Sequence, residues 1–551
     1  MLLSDRSKIH GRKDSLISWL FLALFLTAVI VRLIPGPRII DDAYITYRYV
    51  QNLLSGNGLV YNPGERVLGT TTPFYSLLLA TISSILQGGQ QNLPRISIVI
   101  NALADGASCL LLFAIGHRLG WSAAGLGAAL VWAIAPFSVT FAIGGLETSI
   151  VVSLLLAAWY TYLTKNTIWT ALFAALLLLT RPDTLILIGP LALDRAYQIF
   201  KNLRSEQNEG HAIRFRNLKR YLYEILALGL PASIWLTFAA FYYGSPIPHS
   251  ITAKSLAYQL PPDAALLRFI QHYATPFMEQ YTLTAGWLTT LALLYLFLAL
   301  LGGWLGVRRS PRSWPFFLFP WLYMLVFSVA NPLVFRWYLT PPLPVYILSI
   351  LIGAQHLLTK GRDSLYTRGW VSGKPVNAII DKGYQILMMI VLILAPVLLT
   401  LQGWDLAAEQ SDNRPTPKMA WIELENLYYQ VSERLQPSLA EHAGKKVVLA
   451  AGDVGVLGYF TGAAILDLVG LNSPQSTHYY PANPEIYVIN YAIPPELVMD
   501  QLPDYLVILE VYGREGLLKD QRFLERYHLL EKIDTDIYGS DGLLIFELGS
   551  P

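Results

Sequence analysis

Apolar runs such as those at 96–115, 285–306 and 384–403 leave a chain few ways to fold. As helices they reach roughly 30 Å, the thickness of a bilayer's hydrocarbon core. Every backbone amide in lipid must bond within its own segment, so these runs predict membrane-spanning helices. A chain of 551 residues that is 54% hydrophobic and 14% charged is therefore read as a polytopic membrane protein. Its net charge of +2 argues against a nucleic-acid partner, which needs a clustered basic face. The lone cysteine, Cys109, lies in an apolar run and excludes an intrachain disulfide or a thiolate metal site.

Orientation follows from where the basic residues fall. Arg6, Lys8, Arg12 and Lys13 hold the N-terminus in the cytoplasm, so the first span, 15–35, delivers the next loop to the outside. The apolar stretch 73–89 is too short for a comfortable crossing and is read as an interfacial or re-entrant helix. Further spans are expected near 96–115, 123–143, 148–164, 167–180, 184–198, 221–242, 285–306, 315–330, 338–358 and 384–403, eleven with the first. This arrangement places Arg204, Arg214, Lys219, Arg308, Arg312, Lys360 and Arg368 in cytoplasmic loops. Counting 73–89 as a span would invert every later loop and export those charges.

Beyond about residue 403 the long apolar runs stop. "KVVLAA", "AAILDLV", "DYLVILE" and "GLLIFEL" read as short strands, and "AWIELENLYYQVSERL" as a helix, giving a small extracytoplasmic α/β domain. Its "GDVGVLG" lacks the spacing of a dinucleotide loop, so Gly452, Gly455 and Gly458 are assigned to tight turns. The expected organisation is a transmembrane domain over 1–403, with a first extracytoplasmic loop at 36–95, followed by a soluble domain over 404–551.

Two adjacent carboxylates, Asp41 and Asp42, open the first loop. They begin an amphipathic helix in which Tyr44, Tyr47, Val50 and Leu54 form an apolar face and Arg48, Gln51 and Asn52 a polar one, with Gly56 ending it. Such a helix would lie along the membrane interface. One aspartate is enough to cap it, so a second at the same end suggests chemistry by at least one of the pair. Asn62-Pro63-Gly64-Glu65 suits a type II turn. Glu147 in "GGLET", Arg181 and Asp183 in "TRPDT", His249 and Lys254 in "PHSITAK", and Arg336 in "VFRWYLTPPLP" are expected on the same outer face. Charges at a membrane rim are costly and point to a site, and a set containing Lys254, Arg181 and Arg336 suits a lipid-linked phosphate. Helix-end pairing of Arg181 with Asp183, and snorkelling by Lys254 and Arg336, are the simpler alternatives. No His/Cys or carboxylate spacing specifies a metal.

The blocks "DDAYITYRYVQNLLSGNGLVYNPGERV", "GLET", "LTRPD", "YGSPIPHSITAKS", "FRWYLTPPLP" and "AAGDVGVLGYFTGAAILDLVGLNSP" together resemble the GT-C superfamily of integral-membrane glycosyltransferases. The likeness is greatest to bacterial relatives of mycobacterial terminal arabinofuranosyltransferases. The resemblance implies a GT-C fold and an extracytoplasmic site. It also implies a polyprenyl-phosphate sugar donor, inverting transfer to a hydroxyl of a cell-envelope glycan, lipid or protein, and a first-loop aspartate as base. Carried onto these residues, Asp41 is the first choice for the base, with Asp42 sharing or positioning. Lys254 and Arg336, with Arg181, meet the donor phosphate, and Glu147, Asp183, His249 and Arg48 bind acceptor or sugar. The chain departs from such relatives at Gly69-Thr70-Thr71-Thr72-Pro73, where "GYTNP" is common, and at His249, where asparagine is common. Arabinose is therefore one candidate sugar among others. No cofactor is required by this chemistry, and an aspartate-bound divalent ion is left open. The alternative function is transport or flipping of lipid-linked sugars. The expected location is the bacterial plasma membrane, with the tail outside.

Overall fold

The computed structural model describes residues 3–86, 88–205, 211–278, 284–367, 374–406, 414–441 and 446–549. Arg368, in one of the expected basic loops, lies outside them. All eleven expected spans fall on helices, but they are not alike. Six are long and apolar enough to cross by themselves: Leu93–Arg118, Arg216–Tyr243, Ala285–Arg309, Pro311–Ala330, Leu343–Tyr366 and Ala378–Leu401. A seventh is a pair, Ser122–Ile134 and Pro136–Ile143, bent by 43°. The bend sits at Pro136, whose ring forces Ala135 into extended geometry and interrupts the ladder. Ser18–Leu33, Thr148–Leu163 and Thr167–Thr180 are shorter apolar helices, as is Pro73–Ile85, while Leu185–Ser205 meets neither description.

The protein is a multi-pass membrane protein. Arg216–Tyr243 has only 6% of its apolar window buried inside the protein, with Ile225, Ile234 and Phe241 facing outward. A surface of that kind needs hydrocarbon around it. Inside the bundle one ion pair is sealed off. Arg32 Nε meets Asp105 Oδ2 at 2.7 Å with both side chains fully buried. The remaining capacity is met by Ala133 and Trp132 carbonyls, Ser138, Ser149 and the Trp132 indole. Charges in so dry a place persist only when every lone pair and proton is matched, and here the network ties five helices together.

The tail begins with a two-residue pairing of β1 (Trp404–Asp405) and β2 (Thr416–Pro417), then the helix Glu423–Glu441. A five-stranded sheet follows, from β3 (Val448–Ala451), β4 (Ala464–Asp467), β5 (Tyr505–Leu509), β6 (Tyr527–Ile533) and β7 (Leu543–Leu548), in the order β4-β3-β5-β7-β6. β3 runs parallel to β4 and β5, whereas β7 is antiparallel to β5 and β6. All five residues of β5 are buried, as a continuous apolar strand at the sheet centre requires. β6 is an edge strand that the apolar-run criterion misses, because "YHLLEKI" leaves Leu529 and Leu530 half exposed.

The tail does not stand apart from the membrane part. Its buried cluster includes Ile45, Tyr49, Leu59 and Tyr61 of the first loop and Ala253 and Ala257 of the helix His249–Ala257.

Candidate active site

The helix Asp41–Leu54, here the loop helix, lies between the bundle and the tail. Tyr47 and Val50 are fully buried, as the apolar face predicts, but Arg48 and Asn52 on the opposite face are buried too. The polar face is not left to solvent, because a short tail helix, Gly455–Thr461, packs on it at Arg48 and the loop itself covers Asn52. Gly56 does end the loop helix in left-handed geometry, φ +80°, and Gly64, φ +86°, sits in the turn closed by the Glu65 amide on the Asn62 carbonyl at 3.1 Å.

The two aspartates have different surroundings. Asp41 is buried, and its carboxylate accepts both leading amides of the tail helix, Gly455 N at 2.9 Å and Val456 N at 2.8 Å. Burial, then Asp453, push its carboxyl well above the usual range, with Asp42 adding to this and the two amides opposing. Asp42 is 35% exposed in its side chain and points to open space, 4.0 Å from Lys254 Nζ. The Lys254 ammonium also lies 5.0 Å from the Phe335 ring and 5.9 Å from that of Tyr338. Burial works against its charge, but the Tyr338 oxygen and Asp42 outweigh burial and raise its pKa.

Two cavities open on this pair. The first, about 750 Å³, separates the membrane part from the tail and is lined by Asp41, Asp42, Lys254, Arg268, Arg336 and Lys418 together with Trp421, Glu425, Asp453 and Tyr512. The second, about 630 Å³, is lined by Asp42, Thr70, Thr71, Thr72, Glu147, Arg181, Asp183, Lys254 and Tyr338, and reaches the bundle residues Val326, Phe327 and Ala330. Asp42, Lys254, Tyr258 and Trp337 border both. Such volumes are those of small-ligand sites, and two of them meeting at one carboxylate and one ammonium can hold two reactants against each other.

The other expected residues divide. Arg181 is not available as a free cation: Asp183 Oδ2 at 2.7 Å and Glu147 Oε1 at 3.4 Å hold it, and Tyr338 lies 4.6 Å beneath it. Asp183 also accepts the Tyr323 hydroxyl at 2.6 Å. These three charges form a wall of the second cavity. Arg336 lines only the first, over Trp421 at 5.7 Å. Arg48 borders neither cavity. It binds the carbonyls of Tyr61, Gly458 and Ala463, so its expected sugar-binding role gives way to fastening the tail. His249 borders neither, and burial lowers its pKa. Among the described residues, no group of three or more His, Cys, Asp or Glu side chains is placed to hold a metal.

Gly455 and Gly458 were expected in turns, yet both lie in the tail helix. A Cβ on Gly455 would fall 1.8 Å from the Asp41 carbonyl oxygen, and one on Gly458 2.1 Å from the Tyr61 hydroxyl. Glycine is there because the loop helix at Gly455, and the Tyr61 side chain at Gly458, pass too close for a Cβ. Glu425, Asp453 and the tail aromatics were missed altogether. In sequence, "AWIELE" shows only a helix start with solvated acids.

Residues 422–546 match a family described as a domain of unknown function (DUF8728). A terminal β-(1→2)-arabinofuranosyltransferase of Mycobacterium tuberculosis (strain ATCC 25618 / H37Rv) is 29% identical over 231 residues, 40% of this chain and 35% of that relative's length. Among solved structures, ArnT from Cupriavidus metallidurans bound to undecaprenyl phosphate superposes over 97% of this chain and 99% of its own, with a TM-score of 0.51 at 10% identity. This is the GT-C fold. The Archaeoglobus fulgidus oligosaccharyltransferase, tethered to an acceptor peptide, shares it over 96% of this chain and 74% of its own, with a TM-score of 0.51 at 13% identity. At such identities the GT-C fold is what is shared, and the chemistry must be argued from the cavities.

Proposed function

We propose that this chain is a membrane glycosyltransferase that moves a sugar from a polyprenyl-phosphate carrier to an acceptor hydroxyl on the extracytoplasmic side. The observation that carries the reading is the meeting of two cavities at Asp42 and Lys254. The second cavity takes the donor. Its apolar side reaches helix Trp314–Ala330, whose Leu325 and Val329 face outward where lipid would lie, so a prenyl chain enters without crossing water. The donor phosphate sits at Lys254, next to the Tyr338 hydroxyl, because Arg181 is already held by two carboxylates. Arg336 flanks the junction from the first cavity.

Asp42, rather than Asp41, is the base in this reading, since both Asp41 oxygens are taken by tail amides. The acceptor hydroxyl enters from the first cavity and gives its proton to Asp42. Its oxygen then bonds to the anomeric carbon as the bond from that carbon to the phosphate oxygen breaks, and the lipid phosphate leaves with its negative charge facing Lys254. A single displacement inverts the anomeric centre and needs no protein nucleophile. Arabinofuranose is the first sugar to test, given the mycobacterial relative's name.

The test uses membranes containing the full chain, radiolabelled polyprenyl-phosphate arabinose and envelope glycan. Asp42→Asn should lower transfer by about 10²–10⁴-fold. Lys254→Met should raise the donor KM at least about tenfold, as loss of a charged hydrogen bond does. Undiminished transfer by Asp42→Asn at normal expression would remove the base from this scheme.

A further inference from the structure

The proposed chemistry leaves the tail side of the first cavity unused. That wall holds a feature a solvated surface would not keep. Glu425 is 6% exposed, and its Oε1 accepts the Asp41 amide at 3.3 Å, but its Oε2 is buried with no donor among the described residues. A buried acceptor left without a donor is costly, and in a cavity wall it signals a partner that arrives from the cavity. Next to it is Asp453, which takes the Tyr428 hydroxyl at 2.8 Å. Trp421, Tyr491, Tyr512 and Tyr538 line the same cavity.

We infer that this wall is a saccharide subsite that binds the acceptor glycan through its hydroxyls and ring faces. Sugar rings offer many O–H donors around an apolar C–H face. The wall offers carboxylate acceptors and amphipathic aromatic bodies to match. Burial holds Glu425 at about 7 and Asp453 at about 6, and a sugar hydroxyl would supply the donor that Glu425 Oε2 lacks. A polyanion fits worse: five carboxyl groups line this cavity against four cations. The inference rests on the glycosyltransferase reading for its meaning, since the bound ring then presents its hydroxyl to Asp42.

The experiment measures binding, not turnover, so the two readings fail separately. Saturation-transfer NMR is recorded on the full chain in nanodiscs with octyl glycosides of arabinofuranose, mannose and galactose, with farnesyl phosphate as the donor-side probe. At least one glycoside should receive saturation at its ring protons and not only along the octyl chain. Glu425→Gln and Tyr538→Ala should each weaken that binding about tenfold and leave farnesyl phosphate binding within about twofold. Tyr538 is 58% exposed and Gln retains the Oε1 acceptor, so both variants keep the fold. Ring signals unchanged in both variants, displacement of the glycoside by farnesyl phosphate, or no ring saturation from any of the three sugars would each overturn the subsite. Loss of transfer in Asp42→Asn with glycoside binding intact would leave it standing.

Discussion

Asp41 and Asp42 are neighbours in sequence but not in environment, and the difference is testable one residue at a time. Asp41→Asn keeps one acceptor oxygen for the tail helix but turns an NH₂ toward the second amide. The loss of a charged hydrogen bond should cost about 1.5–3 kcal/mol in the docking of the tail, read as faster proteolysis of the tail in detergent. Glu425 predicts a pH dependence. Burial raises it from 4.5 to about 7, so across that window the folded state retains a proton that the unfolded state has released. The Glu425 contribution to stability is therefore full below about pH 4.5 and is lost as pH rises toward 7. Thermal unfolding of the full chain should show this slope, and Glu425→Gln should flatten it. An unchanged slope in the variant would assign the titration to another group.

At the scale of elements, the contact between the loop helix and Gly455–Thr461 decides the site. Gly455→Ala drives a methyl into the Asp41 backbone, which no rotamer change relieves, and should undock the tail and abolish transfer. Gly229→Ala, in the helix His211–Tyr243, meets nothing within 4 Å and serves as the control, with unchanged or slightly raised stability. Circular dichroism and transfer activity measured on both variants separate local crowding from general intolerance of substitution. The departure at Gly69-Thr70-Thr71-Thr72-Pro73 also acquires a place at this scale. Its three threonines line the second cavity beside Asp42, the cavity proposed above for the donor.

For the whole molecule, the tail's core is shared with Ile45, Tyr49 and Tyr61, so cutting the chain after residue 403 would expose buried aromatic surface on the membrane part. The truncated protein should aggregate on solubilisation, measured by size-exclusion chromatography. Orientation is open to labelling because Cys109, the lone cysteine, is fully buried. With Asp534→Cys on the tail and Arg204→Cys in the expected cytoplasmic loop, an impermeant maleimide added to intact cells should label the first and not the second. The reverse result would invert the topology.

Much of this was legible in one dimension because its causes are local. Apolar run length set where helices lie, alternating apolar and turn residues set four of the tail strands, and the paired aspartates after the first span marked where to look. Lys254 and Arg336 drew attention because a charge at a membrane rim is conspicuous in sequence. What distance in sequence hid is pairing. That Asp41 is spent on amides more than 400 positions away, that Arg48 is a fastener, and that Glu425 faces a cavity were decided only when the tail closed over the loop helix, and that Arg181 is neutralised by Glu147 and Asp183 only when the bundle packed. Hydrogen-bond saturation and desolvation are properties of that closed arrangement, and no residue carries them alone.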